Sequence, residues 1–269
     1  MLTGVIGYGV LGSATAQVLS RLGHKVAVRD TNPSRMQAAF SEGHQNLDDA
    51  GRVVALFICV PEGNLFDAVS DLPSSPLTVI RSTVTPGTTE RLSEAFGRTF
   101  IYMPEFLREA TSLWDALNPS FILIGCKNDE EGQAVARLFS PLLAPIILVP
   151  RSTAEMVKLT LNAYLHTLVS FWNEMHMICE EAGIASHVVG KICAQDPRVS
   201  PYGATMHGKP VGGRCLPKDL AQLIAFAEEV GHTPGLLYAL QEANRQVEKA
   251  KIARNGVGAA IMVAPSGGS

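Results

Sequence analysis

Residues 3–12 have the sequence "TGVIGYGVLG" and decide the fold, because they place a glycine-rich turn between a strand and a helix. The apolar run "TGVI" predicts a buried strand, and "GSATAQVLSRLG" predicts the helix that follows. The turn has the spacing G-x-G-x-x-G at Gly7, Gly9 and Gly12. A turn with this spacing, between a strand and a helix, is typical of a site where a dinucleotide pyrophosphate meets a helix N-terminus.

The second predicted strand, "KVAVRD", ends in Asp30. A carboxylate at this position accepts hydrogen bonds from the ribose hydroxyls of an adenosine and repels a 2′-phosphate, so the sequence favours NAD over NADP. Arg29 and Arg35 are close enough in sequence to weaken that preference. The alternative is a tight helix–strand crossing that needs glycine without binding a nucleotide, and the complete strand–turn–helix–strand context favours the nucleotide site.

The order of the predicted elements indicates an α/β protein followed by a helical part. Five further buried strands alternate with helices up to residue 150, which predicts a mostly parallel, doubly wound Rossmann-type sheet covered on both faces. Beyond it, helices are predicted over 152–183, 186–195, 216–231 and 233–256. We therefore expect an NAD-binding Rossmann domain at 1–150, an all-α domain at 151–256 and a tail at 257–269.

Composition excludes several classes of function. The net charge is −3 and no basic run is present, so we expect no nucleic-acid or anionic-membrane partner. The apolar stretches predict no membrane span, and the first residues enter a strand at once, so we expect no signal peptide. The five cysteines are scattered, without C-x-x-C or metal-ligand spacing. This pattern favours reduced thiols in a cytoplasmic protein without a metal site.

Lys158 and Asn162 are four residues apart on a long, largely apolar predicted helix and therefore share one face. An ammonium group can stabilise the alkoxide that hydride loss requires, and an amide can fix its oxygen. The alternative is a snorkelling lysine beside a surface asparagine. The apolar character of the helix favours the site.

The stretch "GGRCLPKD" (212–219) places a thiol where a helix begins. Pro217 suits the first position of that helix, so Cys215 would lie at the positive end of the helix dipole, with Arg214 and Lys218 nearby. These features favour the thiolate. The alternative is an inert buried cysteine, which is what we expect of Cys179 and Cys193.

A reactive thiolate at Cys215 would attack an aldehyde and give a thiohemiacetal. This adduct can lose a hydride to NAD and become a thioester, which water cleaves. Asp219 could orient or activate that water, and the alternative is a first-turn carboxylate favoured by the helix dipole. Gly212 and Gly213 would let a substrate approach closely.

Four motifs together resemble the UDP-glucose/GDP-mannose dehydrogenase family. They are "RSTVTPGTT" (81–89), "MPEFLREA" (103–110), "AEMVKLTLNAYL" (154–165) and "VGGRCLPKD" (211–219). They occur in the order of the family's motifs. The resemblance implies a two-step oxidation of a sugar C6 alcohol to a carboxylate with two NAD, and a homodimer formed through the helical domain.

The resemblance also implies roles for single residues. Cys215 would be the covalent nucleophile, Lys158 and Asn162 the oxyanion site, and Asp219 a group that handles water and protons. Glu109 would serve thioester hydrolysis, with Thr83 holding the same water. We expect the cofactor to contact the glycine turn with Val10 and Leu11, then Asp30, Arg35, Val60, Pro61, Ser82 and Thr83. We expect the small-molecule substrate to contact Glu105, Phe106, Leu107, Arg108, Lys158, Asn162, Gly212 and Gly213.

The sequence also departs from the family. The chain stops soon after the helix that would lead into the family's third, nucleotide-sugar-binding domain, and segment 196–210 lacks the family's asparagine pair. "CVPEGN" (59–64) replaces a turn that normally contains threonine. We therefore expect a truncated chain or a substrate that is smaller than, or different from, a sugar nucleotide. Two alternatives stay open: a β-hydroxyacid-type dehydrogenase with one hydride transfer and no need for a cysteine, and a non-catalytic dinucleotide-binding protein.

Overall fold

The computed structural model describes residues 1–72, 75, 77–205, 208–213 and 215–261, with side chains described as far as residue 249. The chain divides into two compact units, and the division falls between Lys158 and Leu159. This point lies inside one long helix, so the first two turns of that helix belong to the first unit.

The first unit is built on an eight-stranded sheet of order β3-β2-β1-β4-β5-β6-β7-β8. Neighbouring strands are parallel except β6 and β7, which confirms the predicted Rossmann-type α/β fold. The strands are β1 Leu2–Ile6, β2 Lys25–Arg29, β3 Gln45–Asn46, β4 Ala55–Ile58, β5 Leu77–Ile80, β6 Ile101–Tyr102, β7 Ile122–Gly125 and β8 Ile146–Val149. The two-residue strand β3 was not predicted, because two residues are too few to show an alternating pattern.

Among the described residues, six α-helices pack around this sheet and five more follow it in the chain. The first six are α1 Val10–Arg21, α2 Pro33–Ser41, α3 Leu65–Ser70, α4 Thr88–Phe96, α5 Ser112–Leu117 and α6 Asp129–Phe139. The others are α7 Arg151–Glu181, α8 Ser186–Cys193, α9 Pro201–Ala204, α10 Cys215–Glu229 and α11 Gly235–Ile261.

Both faces of the sheet are buried by apolar side chains. Val5, Val28 and Phe57 belong to one apolar cluster, and their neighbours Ile6 and Ile58 belong to a second one. Successive residues of a strand point to opposite faces, so each strand contributes to both clusters.

The carboxyl ends of the central strands lie at one edge of the sheet. Ile6 is in register with Arg29 and Ile58, and Ile58 is in register with Ile80. The strand order reverses between β1 and β4, and a crevice outside the strand ends at such a point is where open α/β sheets bind ligands.

The second unit is helical and has its own apolar cluster of Ala163, Leu220, Ile224 and Leu240. Pro217 is the third residue of α10 rather than the first. Proline is tolerated there because the first N–H groups of a helix have no intrahelical acceptor.

Helix α11 continues to Ile261, past the Asn255–Gly256 pair at which the sequence predicts its end. Glycine in a helix interior costs only about 1 kcal/mol, which neighbouring turns can offset. Arg214 and residues 262–269 of the predicted tail lie outside the described residues. Within the described part of the chain, no helix combines the length and the hydropathy that crossing a membrane requires.

Candidate functional site

The three glycines of the turn after β1 differ in what constrains them. Gly7 has φ +89°, and a Cβ on it would lie 2.9 Å from the carbonyl oxygen of Cys59. A Cβ on Gly12 would lie 1.7 Å from the carbonyl oxygen of Gly7. A Cβ on Gly9, the N-cap of α1, would meet no described atom within 4 Å. Helix–strand packing therefore explains two of the glycines, whereas Gly9 leaves open space at the helix N-terminus, which suits a pyrophosphate.

Asp30 is held beside this turn. Its side chain is 4% exposed. Its Oδ2 accepts a hydrogen bond from the backbone N–H of Tyr8 at 2.6 Å, and its Oδ1 accepts one from the backbone N–H of Asn32 at 2.8 Å. The Arg35 guanidinium lies 3.5 Å from Oδ2. Since a carboxylate has about four lone-pair positions, it keeps acceptor capacity for a ribose hydroxyl.

The segment after β5 is tied to the turn after β4. The Ser82 hydroxyl donates to the carbonyl oxygen of Val60 at 2.5 Å. Glu62 Oε1 accepts from both the backbone N–H and the hydroxyl of Thr85, at 2.8 and 3.1 Å. The first bond joins Ser82 to Val60, two of the predicted cofactor residues. Thr83, which is half-buried, lies between Ser82 and Thr85, the two residues that these bonds hold. The sequence analysis did not identify Glu62, because its hydrogen-bond partner is 23 residues away and no local sequence pattern indicates such a contact.

Lys158 is a buried, paired lysine rather than a snorkelling one. Its side chain is 3% exposed, and Nζ lies 3.1 Å from Glu105 Oε1. Nζ also lies 5.5 Å from the centre of the Phe106 ring. Glu105 Oε2 accepts the backbone N–H of Leu107 at 2.5 Å. The structure therefore brings together four residues that the sequence placed in the substrate site, and the paired charges offset part of the cost of their burial.

Arg108 and Glu109 are placed differently. Arg108 donates from Nε and Nη2 to the carboxylate of Asp115, at 3.0 and 2.6 Å. These hydrogen bonds hold the pKa of Asp115 well below its usual range. Glu109 begins an exposed 3₁₀ turn, and in the described part of the chain no hydrogen bond joins it to Lys158 or Glu105.

In the second unit, Asn162 and Asp219 form a buried pair. The amide nitrogen of Asn162 donates to Asp219 Oδ2 at 2.5 Å, and the two residues are 6% and 1% exposed. The ammonium group of Lys218 lies 2.6 Å from Oδ1 of the same carboxylate. Cys215 is exposed as the first residue of α10, one turn before Asp219. The helix that carries the amide thus meets the helix that carries the thiol.

Two buried asparagines hold the backbone that precedes Cys215. Asn173 donates to the carbonyl oxygen of Lys209 at 2.6 Å. Asn244 accepts the backbone N–H of Val211 at 2.7 Å and donates to its carbonyl oxygen at 3.4 Å. Gly213 follows with φ +76°, a conformation that favours glycine. The sequence analysis missed both asparagines: Asn173 lies in a largely apolar stretch of α7 that could have signalled it, whereas Asn244 is surrounded by polar residues of α11 that hide it.

The five cysteines fall into two groups. Cys126 and Cys179 are buried and Cys59 is partly buried, and burial raises the pKa of Cys59 to about 11. Cys193 and Cys215 are exposed. The expectation that Cys193 is buried is therefore wrong, because it is the last residue of α8 and lies on the solvent side of that helix.

Comparison with known proteins adds to this geometry. Residues 64–143 match the NAD-binding domain of the UDP-glucose/GDP-mannose dehydrogenase family, and residues 152–246 match its central domain. The chain belongs to the UDP-glucose/GDP-mannose dehydrogenase family. Residues 3–103 also match the NAD-binding domain of 6-phosphogluconate dehydrogenase. Members of the family are NAD-dependent oxidoreductases that act on a CH–OH group, and the first unit is an NAD-binding domain.

Individual relatives agree with this assignment. UDP-glucose 6-dehydrogenase AglM of Haloferax volcanii is 28% identical over 89% of this chain and 68% of its own length. The structure of a UDP-glucose dehydrogenase from Pyrobaculum islandicum is 25% identical with a TM-score of 0.74, over 93% of this chain and 68% of that one. The 3-hydroxyisobutyrate dehydrogenase of Mycobacterium tuberculosis shares the fold, with a TM-score of 0.76 at 15% identity, over 91% of this chain and 92% of that one. The chain thus spans about two thirds of the two UDP-glucose dehydrogenases.

The glycine turn gives a matched pair of substitutions. Gly12→Ala forces the backbone apart, so we expect the free energy of unfolding to fall by about 1–3 kcal/mol in urea titrations. Gly9→Ala fits without a clash, so we expect a change within about 0.5 kcal/mol. Because its methyl group would occupy the space at the helix N-terminus, Gly9→Ala should weaken NAD binding measured by calorimetry. Equal losses of stability in both variants would contradict this account.

The thiols give a second prediction. Iodoacetamide should label Cys215 and Cys193 in the native protein and leave the buried Cys126 and Cys179 unmodified, whereas the partly buried Cys59 should react slowly because its pKa is raised. Cys215 should react faster than Cys193, since one lies at the N-terminus of a helix and the other at a C-terminus, and the helix dipole favours an anionic sulfur at the N-terminus only. Peptide mass spectrometry over time measures both rates, and faster labelling of Cys193 would show that the dipole does not activate Cys215.

Proposed function

We propose that this protein oxidises a primary alcohol or aldehyde to a carboxylate with NAD, through a covalent adduct on Cys215. The observation that carries the proposal is the 2.5 Å hydrogen bond between Asn162 and Asp219. It joins the helix of the lysine–asparagine pair to the helix that begins with the thiol. A covalent step on Cys215 requires these two helices to meet, and this contact provides that meeting.

The first oxidation would use the buried lysine. An ammonium group at Lys158 stabilises the alkoxide formed when the alcohol loses its proton, and the Asn162 amide fixes the same oxygen. The carbon then loses a hydride and becomes an aldehyde. Glu105 keeps the ammonium group oriented through its 3.1 Å contact.

The second oxidation would use the thiol. The Cys215 sulfur adds to the aldehyde carbon, and the resulting thiohemiacetal loses a proton and a hydride to become a thioester. Water attacks the thioester carbon, the C–S bond breaks, and the carboxylate leaves while the thiol regains its proton. Asp219 would handle the protons, and Glu109 with Thr83 would direct the water.

NAD supplies the chemistry of hydride acceptance, once in each oxidation. The residues that would hold it are the glycine turn with Val10 and Leu11, Asp30 and Arg35 on the adenosine side, and Val60, Pro61, Ser82 and Thr83 on the other side. The space in front of Gly9 and the tie between Ser82 and Val60 support this placement.

The substrate class we propose includes primary alcohols and aldehydes other than sugar nucleotides. Several relatives are named for UDP-glucose or GDP-mannose. Segment 196–210 of this chain lacks the asparagine pair expected from the family resemblance. Phe106, Leu107, Gly212 and Gly213 would line the substrate, and Arg108 would contact it only after release from Asp115.

The experiment that tests the proposal is intact-protein mass spectrometry after mixing with NAD and a panel of primary alcohols and aldehydes, including UDP-glucose. We expect a substrate-sized adduct that requires Cys215, with NADH formed in parallel and followed by absorbance. The Cys215→Ser protein should form no adduct, because a serine hydroxyl is a far weaker nucleophile than a thiolate. Cys193→Ser serves as the matched control for an exposed thiol and should behave as the wild type.

Two other outcomes would replace the proposal. NADH formed without an adduct, and equally in Cys215→Ser, would identify a single hydride transfer of the β-hydroxyacid type. Binding of NAD without NADH formation from any compound would identify a non-catalytic dinucleotide-binding protein.

The helical unit is further proposed to form a homodimer in the cytoplasm. Tyr164, Phe171 and Ile178 follow one another at intervals of seven along α7 and are 57%, 52% and 55% exposed. A seven-residue spacing places them on one face of the helix, and a helix stripe of this kind is typical of an interface between helices. The scattered cysteines support a reducing compartment.

The dimer is tested by Phe171→Glu, which places a charge at the middle of the stripe. We expect the variant to be monomeric at concentrations at which the wild type is a dimer, since burying an unpaired carboxylate is costly. Light scattering during size-exclusion chromatography measures the mass. Phe40→Glu, a similarly exposed phenylalanine on α2, should leave the mass unchanged, and a dimeric Phe171→Glu protein would rule out this surface.

A further inference from the structure

Helix α4 has no capping side chain of its own, because its N-cap is Gly87 in the left-handed conformation with φ +88°. Glu155 of α7 supplies the acceptors instead. Its Oε2 accepts the backbone N–H of Gly87 at 2.6 Å. Its Oε1 accepts the backbone N–H of Thr89 at 2.8 Å and the Thr89 hydroxyl at 2.5 Å. Glu155 and Thr89 are both 0% exposed, so the carboxylate is a buried cap provided from 66 and 68 residues away in sequence.

The capped helix continues directly from the segment that carries Ser82 and Thr83. In a doubly wound sheet the two halves of a dinucleotide lie on opposite sides of the point where the strand order reverses. The adenosine half belongs to β1 and β2, where Asp30 lies, and the nicotinamide half belongs to β4 and β5. Segment 82–89 is fixed near its start by Val60 and Glu62, and at its end by Glu155.

Glu155 also lies three residues before Lys158, and side chains at this spacing share one face of a helix. The same turn of α7 therefore contacts the segment after β5 and places the ammonium group that pairs with Glu105. A shift of this turn would move both groups together. All of these contacts lie within the first unit.

We propose that Glu155 is a positioning residue that sets segment 82–89 and Lys158 in place for the nicotinamide end of the cofactor. It acts through the N-terminus of α4. The inference rests on the proposed function only in assigning Lys158 to the reaction, whereas the placement of the nicotinamide half rests on the sheet topology.

The test compares NAD with AMP, which lacks the nicotinamide half, as ligands of the full chain. In Glu155→Gln one oxygen becomes an amide N–H that faces a backbone N–H, which leaves buried donors unpaired. We expect the Kd of NAD to rise roughly tenfold, as it would if only about a tenth of the molecules kept segment 82–89 in its binding position, while the Kd of AMP stays unchanged. A merely structural role would weaken both ligands or neither, and either result would overturn the inference.

The matched control is Glu90→Gln, which removes an exposed first-turn carboxylate from the same helix. It should change neither dissociation constant.

If Glu155→Gln fails to fold, the test uses Thr89→Val and Thr89→Ser instead. Valine removes only the hydrogen bond from the Thr89 hydroxyl to Glu155, and serine restores it. NAD binding should then be weakened by valine and recovered by serine, with AMP binding constant in both. Unchanged NAD binding in Thr89→Val would refute the inference.

Calorimetric titration measures the binding of NAD and AMP without requiring the protein to catalyse a reaction. A protein that oxidises no alcohol would refute the proposed function and leave these dissociation constants measurable. A protein that forms the Cys215 adduct normally but shows no selective loss of NAD affinity in Glu155→Gln would refute this inference alone.

Discussion

Helix α1 lies so close to the end of strand β1 that no side chain fits between them, and the nucleotide site depends on this contact. A Cβ on Gly12 would overlap the carbonyl oxygen of Gly7. Because the helix begins at this distance, its first free N–H groups face the crevice where the strand order reverses. The same constraint fixes the position of Tyr8, whose backbone N–H holds Asp30 beside the turn. The geometry of the turn thus follows from packing at Gly7 and Gly12, whereas a Cβ on Gly9 would meet no described atom within 4 Å.

Burial of charge explains how the two polar clusters stay ordered. Lys158 and Asp219 are 3% and 1% exposed, and an unpaired charge at either position would be strongly destabilising. Each has a partner in its own unit: Glu105 holds the lysine, and Asn162 and Lys218 hold the aspartate. Groups restrained in this way keep their orientation before a substrate arrives, which is the condition for electrostatic stabilisation of a developing charge.

The cysteines show how position decides the chemistry of a side chain. Cys59 lies directly after β4 at the same sheet edge as the glycine turn, yet burial raises its pKa to about 11 and keeps it as a neutral thiol. Cys215 is exposed at the start of a helix, and its backbone approach is fixed by Asn173 and Asn244. Proximity to the crevice alone therefore does not favour the thiolate, which depends on access to solvent and on the local field.

The sequence by itself determined the alternation of strands and helices, the glycine turn, and the long helix with its lysine and asparagine, because these depend on local periodicity and on turn chemistry. It also identified Lys158, Glu105, Asn162 and Asp219 as candidate site residues. The structure shows that they form two pairs, Lys158 with Glu105 and Asn162 with Asp219. Only the tertiary structure decided which partners they have. Glu155 caps a helix 66 residues away, Glu62 holds Thr85, and Arg108 is engaged by Asp115. The exposure of Cys193 and the continuation of α11 past Asn255–Gly256 were likewise decided there. A hydrogen bond between residues distant in the chain leaves no periodic trace in the sequence, because it depends on how the elements pack.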